Sequence, residues 1–158
     1  MTVTTDPGQM MLQMWERTRR LPLGTQLFSW LLGRRVPYSE SIGPVILELE
    51  PGHARISMAD RPELRNHLHS IHAVAMANLG ELTSGLAMIT ALPAGVRAIV
   101  VSLHTDYLKK ARGTLIAESR VTLPAIHGDL EHVVEAEIRD AALDVVARAT
   151  VRWRLGRA

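Results

Sequence analysis

Between Arg65 and Gly85 the chain reads RNHLHSIHAVAMANLGELTSG. Asn66, His67, His69 and His72 crowd a short polar segment, and an apolar run follows in which Glu81 is the single charged side chain as far as Leu92. Such residues can do acid–base chemistry. A carboxyl group withdrawn from water is pushed toward its neutral form, and a group tuned in this way can take a proton from water near neutral pH. Asn66 supplies both a donor and an acceptor. His72 stands where a helix should begin, and the first amides of a helix have no partners within it. Helped by the helix dipole, they can polarise a carbonyl and hold an oxyanion. A plainer reading competes, in which Glu81 is tied to an arginine or is less buried than the pattern suggests. The three histidines could also hold a metal, but no acidic or thiolate spacing joins them, and no metal is expected.

The elements that would position these residues are legible from periodicity. The stretch after His72 is too long for a strand and rich in Ala, Leu and Met, which predicts a helix about 30 Å long. It is apolar nearly all round and should be buried. Ala73, Ala77, Gly80, Ser84, Ala87 and Ala91 recur at spacings of four and three, a stripe against which another backbone can close in. Upstream, PVILELEPGHARISMA reads as a hairpin across Pro51-Gly52, with Val45, Leu47 and Leu49 sharing one face and Ala54, Ile56 and Met58 another. Downstream, VRAIVVSLHTDYL reads as a strand covered on much of both faces. GTLIAESRVTL and the segment from Val145 to Leu155 alternate with a period of two, the latter with one wet face. In front of all this, Met10, Met11, Met14, Trp15, Leu27, Phe28, Leu31 and Leu32 recur at helical spacing on either side of LPLG. Two short helices are expected there, covering a flank of the core. The fold class is α+β: an antiparallel sheet wrapped around one long central helix, with extra N-terminal helices.

One consequence concerns assembly. His72 and Glu81 lie on one helix, roughly 13 Å apart along its axis, too far to serve one carbonyl. A two-fold dimer that sets the start of one helix beside the middle of its mate closes the gap, and two-fold dimers are the commonest oligomers.

Composition sets broad limits. A chain of 158 residues, 47% hydrophobic and 22% charged, suits one globular domain. There is no cysteine, which excludes disulfides, thiolate ligands and a cysteine nucleophile and fits a cytoplasmic location. The N-terminal segment lacks the basic and apolar regions of a secretory leader. The apolar run from Ala73 to Leu92 is interrupted by Asn78, Glu81, Thr83 and Ser84, so no integral membrane association is expected. The net charge is only +2, with Arg17, Arg19, Arg20, Arg34 and Arg35 in one group and Lys109, Lys110 and Arg112 in another. Aromatic residues make up 4% of the chain and no recognition motif accompanies the arginines, so nucleic acid is not an expected partner.

Asn66, then His72, then a carboxylate at position 81, then a strand ending in YLKKARG, together resemble the motif of hotdog-fold acyl-CoA thioesterases of the phenylacetyl-CoA thioesterase type. The likeness extends over the element order from Gly43 to Leu155. It implies a hotdog domain at 43–158 behind an N-terminal helical extension at 1–42, assembled as a homodimer or dimer of dimers. By this resemblance Glu81 is the catalytic carboxylate, activating water or attacking the thioester carbonyl. Asn66 and His72 align water and substrate, and the Ala73 amide binds the thioester oxygen. Tyr107 would wall the pocket, and Lys109, Lys110 and Arg112 would meet the phosphates of coenzyme A. No cofactor is implied. The family carries Gly-Gly after the histidine where this chain has Ala73-Val74, and a strand hydroxyl near the position of Val100, with Ser102 and Thr105 the nearest substitutes. Two alternatives follow: a non-catalytic acyl-CoA-binding or sensing module, and an enoyl-CoA hydratase or dehydratase of the same fold.

Overall fold

The computed structural model describes residues 6–157. Residues 1–5, the front of the segment read above as lacking a leader, and Ala158 lie outside the described residues. Helices α1 (Pro7–Thr18), α2 (Gly24–Gly33) and the short α3 (Pro37–Glu40) come first. Asp6 starts α1: its Oδ1 accepts from the amides of Gly8 at 2.9 Å and Gln9 at 3.4 Å. Pro7 fills the first helical position, where a missing N–H is harmless. The LPLG break falls between α1 and α2 as expected; α3 was not anticipated.

The rest follows the expected order: β1 (Pro44–Glu50), β2 (His53–Met58), α4 (Ala73–Ala91), β3 (Val96–Tyr107), β4 (Leu115–Arg120), β5 (Leu130–Arg139) and β6 (Val145–Arg157). The six strands form one antiparallel sheet in the order β1-β2-β4-β5-β6-β3. It packs around α4, whose Leu79, Leu82, Leu86 and Met88 are buried. This is the expected α+β architecture. Thr90 ties the end of α4 to the β1–β2 hairpin, its Oγ1 accepting from the Gly52 amide at 3.2 Å beside the Glu50 carbonyl at 3.0 Å. The N-terminal helices add Trp15, Phe28 and Leu32 to the same core, with the Trp15 and Phe28 rings edge to face at 5.1 Å. Ser29 of α2 accepts the Ile46 amide of β1 at 2.9 Å.

The stripe of small residues has a clear use at Gly80. A methyl group there would collide with the Cβ of Ala149 on β6, so glycine lets the helix backbone settle onto the sheet. Gly80→Ala gains about 1 kcal/mol of helix propensity but overpacks a rigid contact, which costs about 1–3 kcal/mol. We expect a net loss of about 1 kcal/mol by denaturant melts; a more stable variant would show that α4 and β6 are not in contact here.

Two strand readings need correction. Val45, Leu47 and Leu49 do not share a face: a bulge between Ile46 and Glu48 shifts the register, so Ile46 and Leu49 are buried while Val45 and Leu47 are half-buried. A bulge inserts one residue and inverts the alternation beyond it. VRAIVVSLHTDYL, expected to be covered on both faces, is the outer strand β3. Among the described residues it pairs only with β6, and Ile99, Val101 and Leu103 stay exposed in the single subunit.

Candidate active site

Asn66 folds the polar loop onto itself. Its Oδ1 accepts from the amides of Leu68 at 2.9 Å and Ser70 at 3.3 Å and from the Ser70 hydroxyl at 3.1 Å. This is the self-bonding turn that asparagine favours. It leaves the two donors on Nδ2 without a partner among the described residues. His72 is the N-cap of α4, with extended backbone and with Nδ1 accepting the Val74 amide at 3.1 Å. In the neutral ring the proton therefore sits on Nε2. The neighbouring amide, that of Ala73, donates to nothing among the described residues.

Along α4 the sheet leaves one stripe open. Val74 is exposed, and Asn78 and Glu81 follow at spacings of four and three, both half-buried. Burial alone raises the Glu81 carboxyl above its ordinary range. Among the described residues no arginine, lysine or other donor reaches it, so no ion pair within this part of the subunit accounts for its presence. A methyl group at Gly85 would sit 3.3 Å from the Trp153 ring and 4.0 Å from Oε1 of Glu81, so ring and carboxylate share the space the glycine leaves. Thr105 lies opposite Ala149, and cross-strand pairs point to the same face, here the one toward α4. Its buried hydroxyl has no partner among the described residues. Ser102 instead accepts Arg152 Nε at 3.1 Å on the outer face.

The segment after β3 is bound to the polar loop. Tyr107 donates its hydroxyl to the Ala73 carbonyl at 2.9 Å, and the Ile71 amide donates to Ala111 at 2.8 Å. Asp60 joins the two loops, accepting from Arg65 Nε at 2.7 Å and the Gly113 amide at 2.8 Å. The Arg65 bond, then that amide, hold its carboxyl below the usual aspartate range. Lys109 turns away to Asp140 at 2.8 Å and Asp144 at 2.6 Å, whose hydrogen bonds keep it firmly protonated. Lys110 and Arg112 are exposed, Arg112 making only a 3.5 Å contact with the Leu68 carbonyl.

Asn66, His72, Ala73, Tyr107 and Arg112 thus belong to one cluster around the start of α4. Glu81 stands two turns along the helix, and Lys109 is engaged elsewhere. A cleft of about 180 Å³ opens over the first turns of α4, lined by Tyr38, Ile42, Leu64, His72, Val74 and Asn78 among others; Glu81 does not line it. A larger hollow of about 290 Å³, on the strands around Glu118, Glu135 and Arg139, contains none of the cluster. The sequence reading missed Asn78, Tyr38 and Asp60. Asn78 was findable, since it precedes Glu81 by three residues on the same helix; Tyr38 and Asp60 reach the cluster through tertiary contacts that no local spacing announces.

Asp60→Asn should loosen both loops. We expect stability to fall by about 1 kcal/mol, the net scale of one hydrogen bond. Because the folded carboxyl is held low, this stability is present above the ordinary aspartate value of 3.8 and lost as the pH falls through the folded one. Melting curves of the two proteins should converge in acid; an undiminished gap would place the effect elsewhere.

Six antiparallel strands packed around one buried helix define the hotdog fold. The chain belongs to the family described as Domain of unknown function (DUF4442), whose model matches residues 24–155. A structural-genomics crystal structure is 31% identical, with a TM-score of 0.81, covering 94% of this chain and 99% of its own. The Pseudomonas aeruginosa protein PA5026, described as a probable thioesterase, is 25% identical with a TM-score of 0.76, covering 87% of this chain and 97% of its own. The smu.793 protein of Streptococcus mutans, solved bound to acetyl CoA, shares the fold at 23% identity and a TM-score of 0.62, over 71% of this chain and 88% of its own. No curated protein matches the chain in sequence. No helix among the described residues is long and apolar enough to cross a membrane.

Proposed function

We propose that the protein hydrolyses acyl-CoA or related acyl thioesters at a site completed by a two-fold mate. One observation carries this reading: Glu81 is a half-buried carboxylate without a partner among the described residues, on the stripe of α4 that the sheet leaves open. The probable-thioesterase description of PA5026 and the acetyl CoA bound by smu.793 support the substrate class.

In this mechanism the thioester oxygen accepts the free Ala73 amide, while Asn66 Nδ2 and His72 Nε2–H orient water and substrate. Glu81 of the partner subunit takes a proton from water, whose oxygen attacks the carbonyl carbon. The C–S bond then breaks and the proton passes to the departing thiolate, giving carboxylic acid and free thiol. Direct attack by the carboxylate, followed by hydrolysis of the anhydride, uses the same groups. Lys110 and Arg112 would meet coenzyme A phosphates, with Lys109 reaching them only by leaving Asp140 and Asp144. Thr105 supplies a hydroxyl on the helix-facing side of β3. The extension at 1–42 would wall the cleft through Tyr38.

The test is thiol release from short, medium, long and aromatic acyl-CoAs. Turnover of at least one class is expected. Tight acyl-CoA binding without turnover would select the non-catalytic module, a reading favoured by Val74 standing beside the Ala73 amide where the resembling family has glycine. Addition of water to an enoyl-CoA without thiol release would select the hydratase.

A further inference from the structure

From Arg17 to Ser39 the chain holds five arginines and no acidic residue; Glu16, just before it, pairs with Arg19 at 2.8 Å and Arg20 at 3.6 Å and offsets one of the five charges. Two Arg-Arg pairs, at 19–20 and 34–35, bracket LPLGTQLFSWLLG, which forms the α1–α2 turn and α2. Helix α2 buries Phe28, Ser29 and Leu32. Its opposite stripe runs Leu27, Trp30, Arg34, and Trp30 is 52% exposed with the Arg34 guanidinium 5.1 Å above its ring.

The turn before it is unusual. Leu23 has a φ of 56°, a left-handed backbone that a bulky residue adopts only at a cost, yet its side chain is 74% exposed. Leu21 is exposed as well. The turn is locked by bonds from the Leu21 amide to Thr18 at 2.8 Å and from the Gly24 amide to Leu21 at 2.9 Å. A methyl group on Gly24 would collide with the Thr18 carbonyl, so helix and turn are pressed together. Strain that displays leucine to water, rather than hiding it, calls for something apolar to receive it.

We propose that the α1–α2 turn and the outer stripe of α2 dock on an anionic lipid bilayer, with Leu21, Leu23, Leu27 and Trp30 entering the interface and the bracketing arginines meeting lipid phosphates. The charge decides the occupant. A second copy seated on this surface by two-fold symmetry would bring one arginine cluster against the other, which is repulsive. A negatively charged surface with an apolar interior satisfies both halves of the patch at once. The helix would lie in the plane of the interface, apolar stripe down. Binding by insertion plus charge is reversible and sensitive to salt.

The experiment uses the full chain with vesicles of phosphatidylcholine alone and vesicles containing phosphatidylserine. Trp15 and Trp153 are buried at 4% and 5% exposure, so a blue shift of the fluorescence reports Trp30. Binding to the anionic vesicles should be at least roughly tenfold tighter than to the neutral ones and should weaken as salt rises. Arg34→Gln with Arg35→Gln should reduce it by roughly tenfold. Leu23→Asn separates docking from folding: asparagine tolerates the left-handed backbone, so this variant should fold at least as well yet bind vesicles more weakly. Absence of binding, or equal binding to both vesicles, would overturn the proposal. So would a change of molecular mass in solution caused by Leu23→Asn or Leu27→Gln, which would assign the surface to a second copy of the chain.

Discussion

Glu81→Gln should lower thiol release on the order of a hundredfold or more, the scale of a positioned acid–base group, while making the protein more resistant to heat at neutral pH. Both halves of this result come from one physical cause. Burial raises the Glu81 carboxyl, and no cation among the described residues offsets the charge. The folded state therefore prefers the protonated form. The favourable contribution is fully present below the ordinary glutamate value of 4.5 and is lost as the pH rises through the raised folded value. At neutral pH the native chain holds an uncompensated carboxylate, which glutamine removes; in acid the advantage of the variant should shrink. Catalysis runs the other way, because the base must be ionised, so the acid limb of kcat/KM should lie above 4.5. Thermal melts and pH–rate profiles of the two proteins read both effects. A variant that is less stable at neutral pH and equally active would make Glu81 a structural residue.

The second large effect is expected at the sheet edge. β3 presents Ile99, Val101 and Leu103 to solvent on a strand whose outer edge has no neighbour among the described residues, the kind of edge that a second copy would cover. In the proposed two-fold assembly, with the mate seated at this edge, Ile99→Lys with Val101→Lys should halve the mass in solution and leave a folded subunit. If the Ala73 amide and Glu81 act from different subunits, thiol release falls with the mass, again on the order of a hundredfold or more. Activity that survives undiminished in the monomer would end the shared-site mechanism.

The sequence revealed most where burial and period coincide. α4 was legible because nearly every position is apolar, and β6 because Ala147, Ala149, Val151, Trp153 and Leu155 alternate with polar residues and are all buried. Where a bulge changes the period, as at Leu47, alternation misassigned a face without any glycine to mark the shift. β3 misled for a different reason. Its apolar residues read as belonging under cover, but in the single subunit Ile99, Val101 and Leu103 are exposed. At the site, the polar loop and the helix start were visible as a pattern of residue types. The tie from Asp60 to Gly113 was not, since it joins residues 53 positions apart whose types are common on any surface. Nor could types alone show that Lys109 is taken by Asp140 and Asp144, or that the Asn66 carbonyl is spent on its own loop.

The register of the sheet also bears on the order in which it can be built. β1 with β2, and β5 with β6, are neighbours in sequence and can zip as local hairpins. β3 must wait for β6, since its closest pair joins Tyr107 to Ala147 and its farthest joins Val96 to Arg157. Closing such long loops carries an entropic penalty that local pairing avoids, so distant strands tend to dock late. The outermost strand is therefore among the last to gain a neighbour, and until then α4 lacks part of its cover. During biogenesis the apolar residues of β3 thus wait without a neighbouring strand until the C-terminal strand β6 is available.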